Sequence, residues 1–349
     1  PEALNFTSTQ TMTQTTELAE GWTWWSTPIE MDGVDGMTML QEALGNTGIR
    51  IQSKTSSTDY YDFGEFSFWD GQLNTITNEQ MYKIRTSVSS SISLSGVVAN
   101  PSNHTITIAS GWNWIGFPNG SSLNLESALS GFSPEDGDVI KSSTSFSQFY
   151  DIEGFTFWDG GLGTLTPGQG YMYYSNSSNV KYLTFQNSAK DEMLAEDNSF
   201  SGKSFLTKEG AYPNNMTITA VVELDGKILR SDDYELAAFV GNECRGSIRL
   251  KYVERLNQYM AFLLVQGEQK ESLSFVLTDG NEYGWSNDHF MYSNDATYGT
   301  PTQPIVHSLF LVVTRLITSS SAPEREEVRP SLPSKLERRL CVRLRMSAS

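Results

Sequence analysis

Cysteine is nearly absent from this chain. Its 349 residues include Cys244 and Cys341 and no others, which excludes a disulfide framework. Histidine is almost as scarce: His104, His289 and His307 lie in separate segments. Cys244, between Glu243 and Arg245, would need a histidine base to act as a nucleophile, and only His289 is a plausible neighbour. We therefore expect Cys244 to be a small buried residue. There is no Gly-x-Ser-x-Gly elbow, Walker loop, dinucleotide fingerprint or zinc-ligand spacing. No apolar run reaches the roughly 18 residues of a membrane-spanning helix; residues 310–317 (FLVVTRLI) are too short and contain Arg315.

Positive charge is also sparse. The chain carries 24 Lys and Arg against 41 Asp and Glu, a net charge of −17. Residues 309–349 hold 8 of the basic and 4 of the acidic groups, so residues 1–308 hold 16 and 37, a net of −21. An acidic body repels phosphate backbones, so nucleic acid is not an expected partner. The charge itself reads as a solubility feature.

What the chain does have is aromatics and repetition. The 8 Trp, 15 Tyr and 18 Phe exclude a disordered body. Residues 51–71 (IQSKTSSTDYYDFGEFSFWDG) align without a gap on residues 140–160 (IKSSTSFSQFYDIEGFTFWDG), with 11 of 21 positions identical. The match extends to Leu73/Leu162, Thr75/Thr164, Thr77/Thr166, Gln80/Gln169 and Tyr82/Tyr171, and upstream to Gly21-Trp22-Thr23-Trp24 and Gly111-Trp112-Asn113-Trp114. Two tandem modules follow, at residues 14–96 and 97–186.

Residues 104–109 alternate apolar and polar and read as a strand leading into the second module, as residues 15–20 lead into the first; each module then runs through a Gly-Trp-x-Trp strand that ends near Pro28 or Pro118. A short helical turn comes next, with Leu40, Ala43 and Leu44, or Leu125, Ala128 and Leu129, on one face. Strands follow, punctuated by Asp70-Gly71 and Asp159-Gly160. The copies diverge where Pro167-Gly168-Gln169-Gly170 replaces Asn78-Glu79-Gln80-Met81. Glycine reaches positive φ cheaply, so the two loops should differ in backbone.

Residues 187–212 read as a polar linker and residues 213–308 as a third, unrelated β-sandwich domain. Strands are predicted at residues 216–224, 234–240, 247–252, 259–265 and 272–277, with glycine turns between them. Residues 309–349 change character to Arg, Pro and Ser and read as a disordered or non-native tail. The fold class is all-β: three small β-sandwich-like modules in tandem, two of them homologous repeats with a short helical turn each. The chain opens on Pro1 rather than Met and reads as a piece of a longer polypeptide with further domains.

The strings Gly111-Trp112-Asn113-Trp114-Ile115-Gly116-Phe117-Pro118, Gly137-Asp138-Val139-Ile140-Lys141-Ser142 and Pro167-Gly168-Gln169-Gly170-Tyr171-Met172-Tyr173 resemble a tandem module of secreted Bacteroidetes-type surface proteins. Residues 238–246 (AFVGNECRG) and 294–301 (NDATYGTP) resemble a second module that recurs beside it. The resemblance covers about residues 14–306 and implies a modular adhesin-like protein at the cell surface, with no catalytic residues to carry over.

The repeated aromatics are the candidate site. Trp22, Trp24, Trp112 and Trp114 are expected in module cores. Trp69 and Trp158 precede Asp-Gly turns and are candidate ligand-binding residues, with Tyr60, Tyr61, Asp62, Phe149, Tyr150 and Asp151. Flat rings beside a carboxylate suit sugar rings and their hydroxyls. The loop of Glu135, Asp136 and Asp138 lacks a calcium-loop spacing and is expected to be a solvated turn. No metal or other cofactor is expected. The sequence favours a non-enzymatic extracellular or outer-membrane-surface binding array, with a polysaccharide or host surface protein as partner. A structural stalk is the alternative, and an accessory segment of a secreted hydrolase ranks last.

Overall fold

A computed structural model describes residues 10–187, 204–224, 227–286 and 290–299, with the backbone of two strands at 311–314 and 342–346. The described residues fall into two compact units. Residues 10–187 and 209–213 form the first, which holds both repeats. Residues 204–208 and those from 214 onward form the second.

The first repeat runs β1 (Thr11–Leu18), β2 (Gly21–Trp25), α1 (Gly36–Leu44), β3 (Gly48–Gln52), β4 (Ser57–Asp62), β5 (Ser67–Gly71), β6 (Tyr82–Thr86) and β7 (Ser90–Val97). The second runs β8 (Thr105–Ile108), β9 (Gly111–Ile115), β10 (Leu123–Asn124), α2 (Leu125–Ala128), β11 (Val139–Lys141), β12 (Phe146–Ile152), β13 (Phe155–Gly160), β14 (Thr164–Leu165), β15 (Tyr171–Ser175) and β16 (Lys181–Thr184). Each repeat folds a five-stranded antiparallel sheet in the same order, β2-β6-β3-β4-β5 and β9-β15-β11-β12-β13. A two-stranded ribbon, β1-β7 or β8-β16, completes each module.

Each module buries one face of its sheet against its ribbon and helix. In the first, Trp25, Ile51, Tyr82 and Ile84 meet Leu18, Leu40, Leu44, Ile92 and Leu94. In the second, Ile115, Ile140, Tyr171 and Tyr173 meet Ile106, Ile108, Leu125, Ala128, Leu129 and Leu183. The helical turns therefore present the faces that their i, i+3, i+4 spacing dictates. Asp35 caps α1 by accepting from the Thr38 backbone N–H, a bond that holds its carboxyl below the usual range.

The Gly-Trp-x-Trp strands behave differently from expectation. Period-2 alternation puts Trp25 and Ile115 toward the module cores, and Trp24, Trp112 and Trp114 on the opposite sheet face. There they join Met81 and Met172 in a layer shared by the two repeats. Lys83 Nζ lies 4.7 Å from the Trp24 ring centroid and 4.5 Å from that of Trp114. Lys141 Nζ lies 4.1 Å from that of Trp112. Both lysines are almost fully buried. Desolvating an ammonium is costly, and indole faces offset part of that cost, on the order of 2 kcal/mol per contact when water is excluded.

The loops at this layer interlock reciprocally. Ser26 N–H donates to Gly168 O at 3.4 Å, and its counterpart Gly116 N–H donates to Glu79 O at 2.9 Å. Residue i of one repeat meets residue j of the other and conversely, which is the contact pattern of a two-fold dimer inside one chain. The divergent loop is explained by packing across this axis. Gly168 has φ +86°, whereas Glu79 is not among the positive-φ residues, so the backbones differ as expected. A Cβ at Gly170 would sit 2.3 Å from Met81 Cγ. Large Met81 and absent side chain at Gly170 thus share one space.

The second unit runs β17 (Asn215–Leu224), β18 (Lys227–Ile228), β19 (Glu235–Val240), β20 (Glu243–Arg249), β21 (Lys251–Val253), β22 (Gln258–Gln266), β23 (Ser272–Thr278), β24 (Tyr283–Ser286), β25 (Phe290–Met291), β26 (Thr297–Tyr298), β27 (Leu311–Thr314) and β28 (Val342–Met346). Two sheets, built on β18-β17-β22-β21 and β20-β19-β23-β24-β27, pack alternate residues such as Ile218, Leu236, Leu263 and Phe275 into a common core. This is the expected sandwich, with the strand predicted at 247–252 broken into β20 and β21. Within the segment expected to be a tail, β27 pairs with β24 and β28 with β17; its remainder lies outside the described residues. So do residues 188–203 of the expected linker. Its end does pack: Trp22 N–H donates to Gly210 O, and Trp24 Nε1–H to Pro213 O. No helix among the described residues is long and apolar enough to cross a membrane.

Candidate functional site

The β4-β5 hairpin separates its aromatics by alternation. Tyr60 and Trp69 are directly opposed, with ring centroids 5.4 Å apart, and face the core side, where Trp69 packs against the buried cluster and Gly48. Tyr61 and Phe68, also directly opposed, face the other way. Phe63 and Phe66 continue this outer face into the turn. Tyr61, Phe63, Phe66 and Phe68 are 43%, 60%, 61% and 44% exposed. Their rings are near-parallel: 30° and 5.7 Å for Tyr61–Phe68, 25° and 5.2 Å for Phe63–Phe66, 5° and 6.2 Å for Phe66–Phe68. A contiguous exposed apolar patch of this kind marks an interaction surface more often than scattered exposed residues do.

The same face turns polar toward β3. Arg50 grips Asp59 in a fork, Nε to Oδ1 at 2.6 Å and Nη2 to Oδ2 at 2.9 Å. These hydrogen bonds raise the Arg50 pKa above its ordinary value. Asp70 stands directly opposite Asp59 across the strands. Arg50, Gln52, Asp59, Tyr61, Asp70 and Gln72, with the 53–57 turn, line an open groove of about 440 Å³. Asp62 does not point a free carboxylate at this face, because its Oδ1 accepts from Gly64 N–H in the hairpin turn.

The second module does not reproduce this site. Phe149 and Trp158 occupy the positions of Tyr60 and Trp69; Phe149 is buried and Trp158 packs against the core and Tyr173. Tyr150 and Phe157, the counterparts of Tyr61 and Phe68, are 1% and 6% exposed. Val139, Lys141 and Gln148 stand where the first module has Arg50, Gln52 and Asp59, and all three are buried. Asp151 accepts from Gly154 N–H, as Asp62 does from Gly64. Of the eight candidates read from sequence, the structure brings Tyr61 to the groove. It sets Tyr60, Trp69, Phe149 and Trp158 among packing residues, buries Tyr150, and uses Asp62 and Asp151 in turns. Phe63, Phe66, Phe68, Arg50, Asp59 and Asp70 were not singled out. The available signal was a difference between copies, since Arg50, Asp59 and Phe63 have no like residue at 139, 148 and 152.

Two other expectations change. Asp138 is fully buried rather than in a solvated turn. Its carboxylate accepts from Glu135 N–H, Asn176 N–H and Tyr173 O–H. Burial and the adjoining Asp138 carboxylate push the Tyr173 hydroxyl pKa far up, so it stays a donor. Cys244 is partly exposed, with Sγ 3.6 Å from Gly246 O; His289 lies outside the described residues. Among the described residues no cluster of three or more His, Cys, Asp or Glu is arranged to hold a metal ion.

His104 forms a second cluster, between the repeats. Its buried ring places Nδ1 2.7 Å from Glu79 Oε1 and Nε2 3.1 Å from Glu30 Oε2. Neutral imidazole can donate only one of these bonds; imidazolium donates both. Burial alone would lower the His104 pKa, but the bonds to Glu79 and Glu30 outweigh it and raise the value above 6.5. Burial would likewise raise Glu79, but its bond to His104 brings the value below 4.5. The histidine's contribution is therefore complete below pH 6.5 and lost as pH rises through its elevated folded-state pKa. That of Glu79 is complete above pH 4.5 and lost as pH falls through its lowered one. Calorimetry between pH 5 and 9 should show the melting temperature of the repeats falling on the alkaline side. His104→Gln should flatten that limb and cost about 1–3 kcal/mol at pH 6. An unchanged alkaline limb in the variant would remove His104 as its cause.

No protein-family model, curated protein or solved structure matches the chain.

Proposed function

We propose that this chain is a non-enzymatic binding array from an extracellular bacterial surface protein, and that the first repeat carries its binding surface. The observation that carries this reading is the open face of Tyr61, Phe63, Phe66 and Phe68 beside the Arg50–Asp59–Asp70 groove. Stacking across the strands stabilises the hairpin, but rings left 43–61% exposed forgo much of the gain of burial, which a bound ligand would supply. The competing spacer reading draws on a different observation: the repeated tryptophans pack the two modules together, so the duplication has a structural use without any ligand. The two readings part at the first-repeat face, which a spacer has no use for.

The test uses the full chain and the double variant Tyr61→Ala/Phe68→Ala in biolayer interferometry against immobilised neutral and acidic polysaccharides, collagen and fibrinogen. Both substituted rings are more than two-fifths exposed, so the variant should melt with the parent. The expected result is saturable binding to at least one surface, weakened tenfold or more in the variant. No binding to any surface, or binding that the variant retains in full, would replace this reading with the spacer.

A further inference from the structure

We propose that the groove and the aromatic hairpin of the first repeat form one site for an uncharged polysaccharide, and that the chain carries this site once despite its duplicated module. The proposal rests on the binding reading above and specifies its ligand. Three features point the same way.

First, the face joins the two chemistries that a pyranose chain presents. Sugar rings offer apolar C–H faces, which lie against flat aromatic rings. Tyr61, Phe63, Phe66 and Phe68 form a stacked row along one side of the hairpin, and its exposed ring surface is open to such C–H faces. Sugar edges offer hydroxyls, each able to donate one hydrogen bond and accept others. The groove supplies both partners. Asp59 and Asp70 accept, the Gln52 and Gln72 amides do both, and Arg50 has five donor hydrogens of which the fork to Asp59 engages two. The fork also fixes the Arg50 and Asp59 planes before a ligand arrives, which reduces the ordering cost of binding.

Second, the local charge selects against acidic glycans. The side chains on this face and its turn are Arg50 and Lys54 against Asp59, Asp62, Glu65 and Asp70, two positive and four negative. They stand on a chain of net charge −17. A uronate or sulfate ester would meet repulsion from two directly opposed carboxylates that line the groove. A protein partner is disfavoured by the groove itself. The desolvated core of a protein interface is depleted in carboxylates, whereas here Asp59 and Asp70 both line the concave part.

Third, the second module lacks the site, both by residue identity and by burial. Arg50, Gln52 and Asp59 are replaced by Val139, Lys141 and Gln148, and these positions, with Tyr150 and Phe157, are no more than 6% exposed. Phe155, the counterpart of Phe66, stays 75% exposed, but the residues that would line a groove in this module, Val139, Lys141 and Gln148, are buried. Duplication has therefore produced one binding copy and one packing copy.

Isothermal titration calorimetry of the full chain decides the matter. The probes are hexasaccharides cut from xylan, mixed-linkage β-glucan and galactomannan, with oligogalacturonate and heparin hexasaccharide as charged counterparts. The expected result is saturable binding of at least one neutral probe with a stoichiometry of one. Affinity should fall tenfold or more in Tyr61→Ala and in Asp70→Asn and stay unchanged in Phe155→Ala, with melting temperatures equal throughout. A stoichiometry of two, tighter binding of a charged probe, or equal loss in Phe155→Ala would overturn the proposal. If collagen or fibrinogen binding is lost in Tyr61→Ala/Phe68→Ala while every sugar is silent, the binding reading survives and the glycan assignment falls. Silence from sugars and proteins alike would remove both.

Discussion

Gly116→Ala should unfold the pair of repeats about 6–12 °C below the parent, the shift that about 3 kcal/mol produces in a unit of this size. A Cβ on Gly116 would lie 2.1 Å from Asn78 O and 2.9 Å from Gln80 O. Both are backbone atoms, so no side chain can swing aside. Nor can Asn78 withdraw without cost. Its buried amide donates to Thr27 O and Ile29 O and accepts from Met31 N–H, so its loop is held on three sides. The clash would open the contact at which Gly116 N–H meets Glu79 O. Differential scanning calorimetry reads the midpoint. Tryptophan emission should redden at the same temperature, because Trp24, Trp112 and Trp114 lie in the layer that would open. Gly33→Ala is the control. It carries the strain of φ +74° but has nothing within 4 Å of the new Cβ, so its loss should stay near 1 kcal/mol. Equal midpoints for Gly116→Ala and the parent would mean that the repeats do not interlock as described.

Asp138→Ala should cost the second repeat about 3–5 kcal/mol. The substitution takes the acceptor from three donors, Glu135 N–H, Asn176 N–H and Tyr173 O–H; Asp138 and its bond to Tyr173 are fully buried, and the two backbone donors are partly buried. Each buried donor left without a partner costs about 1–3 kcal/mol, and the bonds lost here end on a carboxylate. Asp138→Asn is the informative companion. It keeps an acceptor oxygen and the volume, but its amide nitrogen meets donors, so it should recover only part of the loss. Urea unfolding followed by intrinsic fluorescence measures both. A free-energy change under 1 kcal/mol for Asp138→Ala would show that water replaces the carboxylate and that the turn is open after all.

The sequence carried most of the architecture. The gapless repeat predicts two modules of one topology, and their strand orders are the same. The spacing of Leu40, Ala43 and Leu44, and of Leu125, Ala128 and Leu129, predicts the helical turns and their buried faces. The replacement of Met81 by Gly170 predicts a divergent loop. These features are local: they depend on which neighbours along the chain share a face and on which φ a residue can adopt. The candidate site was less legible. Alternation placed Trp112 and Trp114 on one side of a strand, but it does not say whether that side meets the module's own core, the sister module or water. They met the sister module. The same ambiguity led to Trp69 and Trp158, whose repetition reflects packing common to both copies. The open aromatic face was carried by Phe63, Phe66 and Phe68, two of which repeat in a copy where one counterpart is closed to solvent.

What the amino-acid order determined by itself was the β class, the duplication and the places where backbone and turn chemistry differ. The period of side-chain direction and the conformational range of glycine are properties of the chain. What only the tertiary structure decided was which sheet face is covered and by what. A two-sided sheet offers both faces to any partner, and the winner is set by three-dimensional fit: one repeat's tryptophans over the other's lysines, Met81 in the space left by Gly170, and one outer face left open on a single copy.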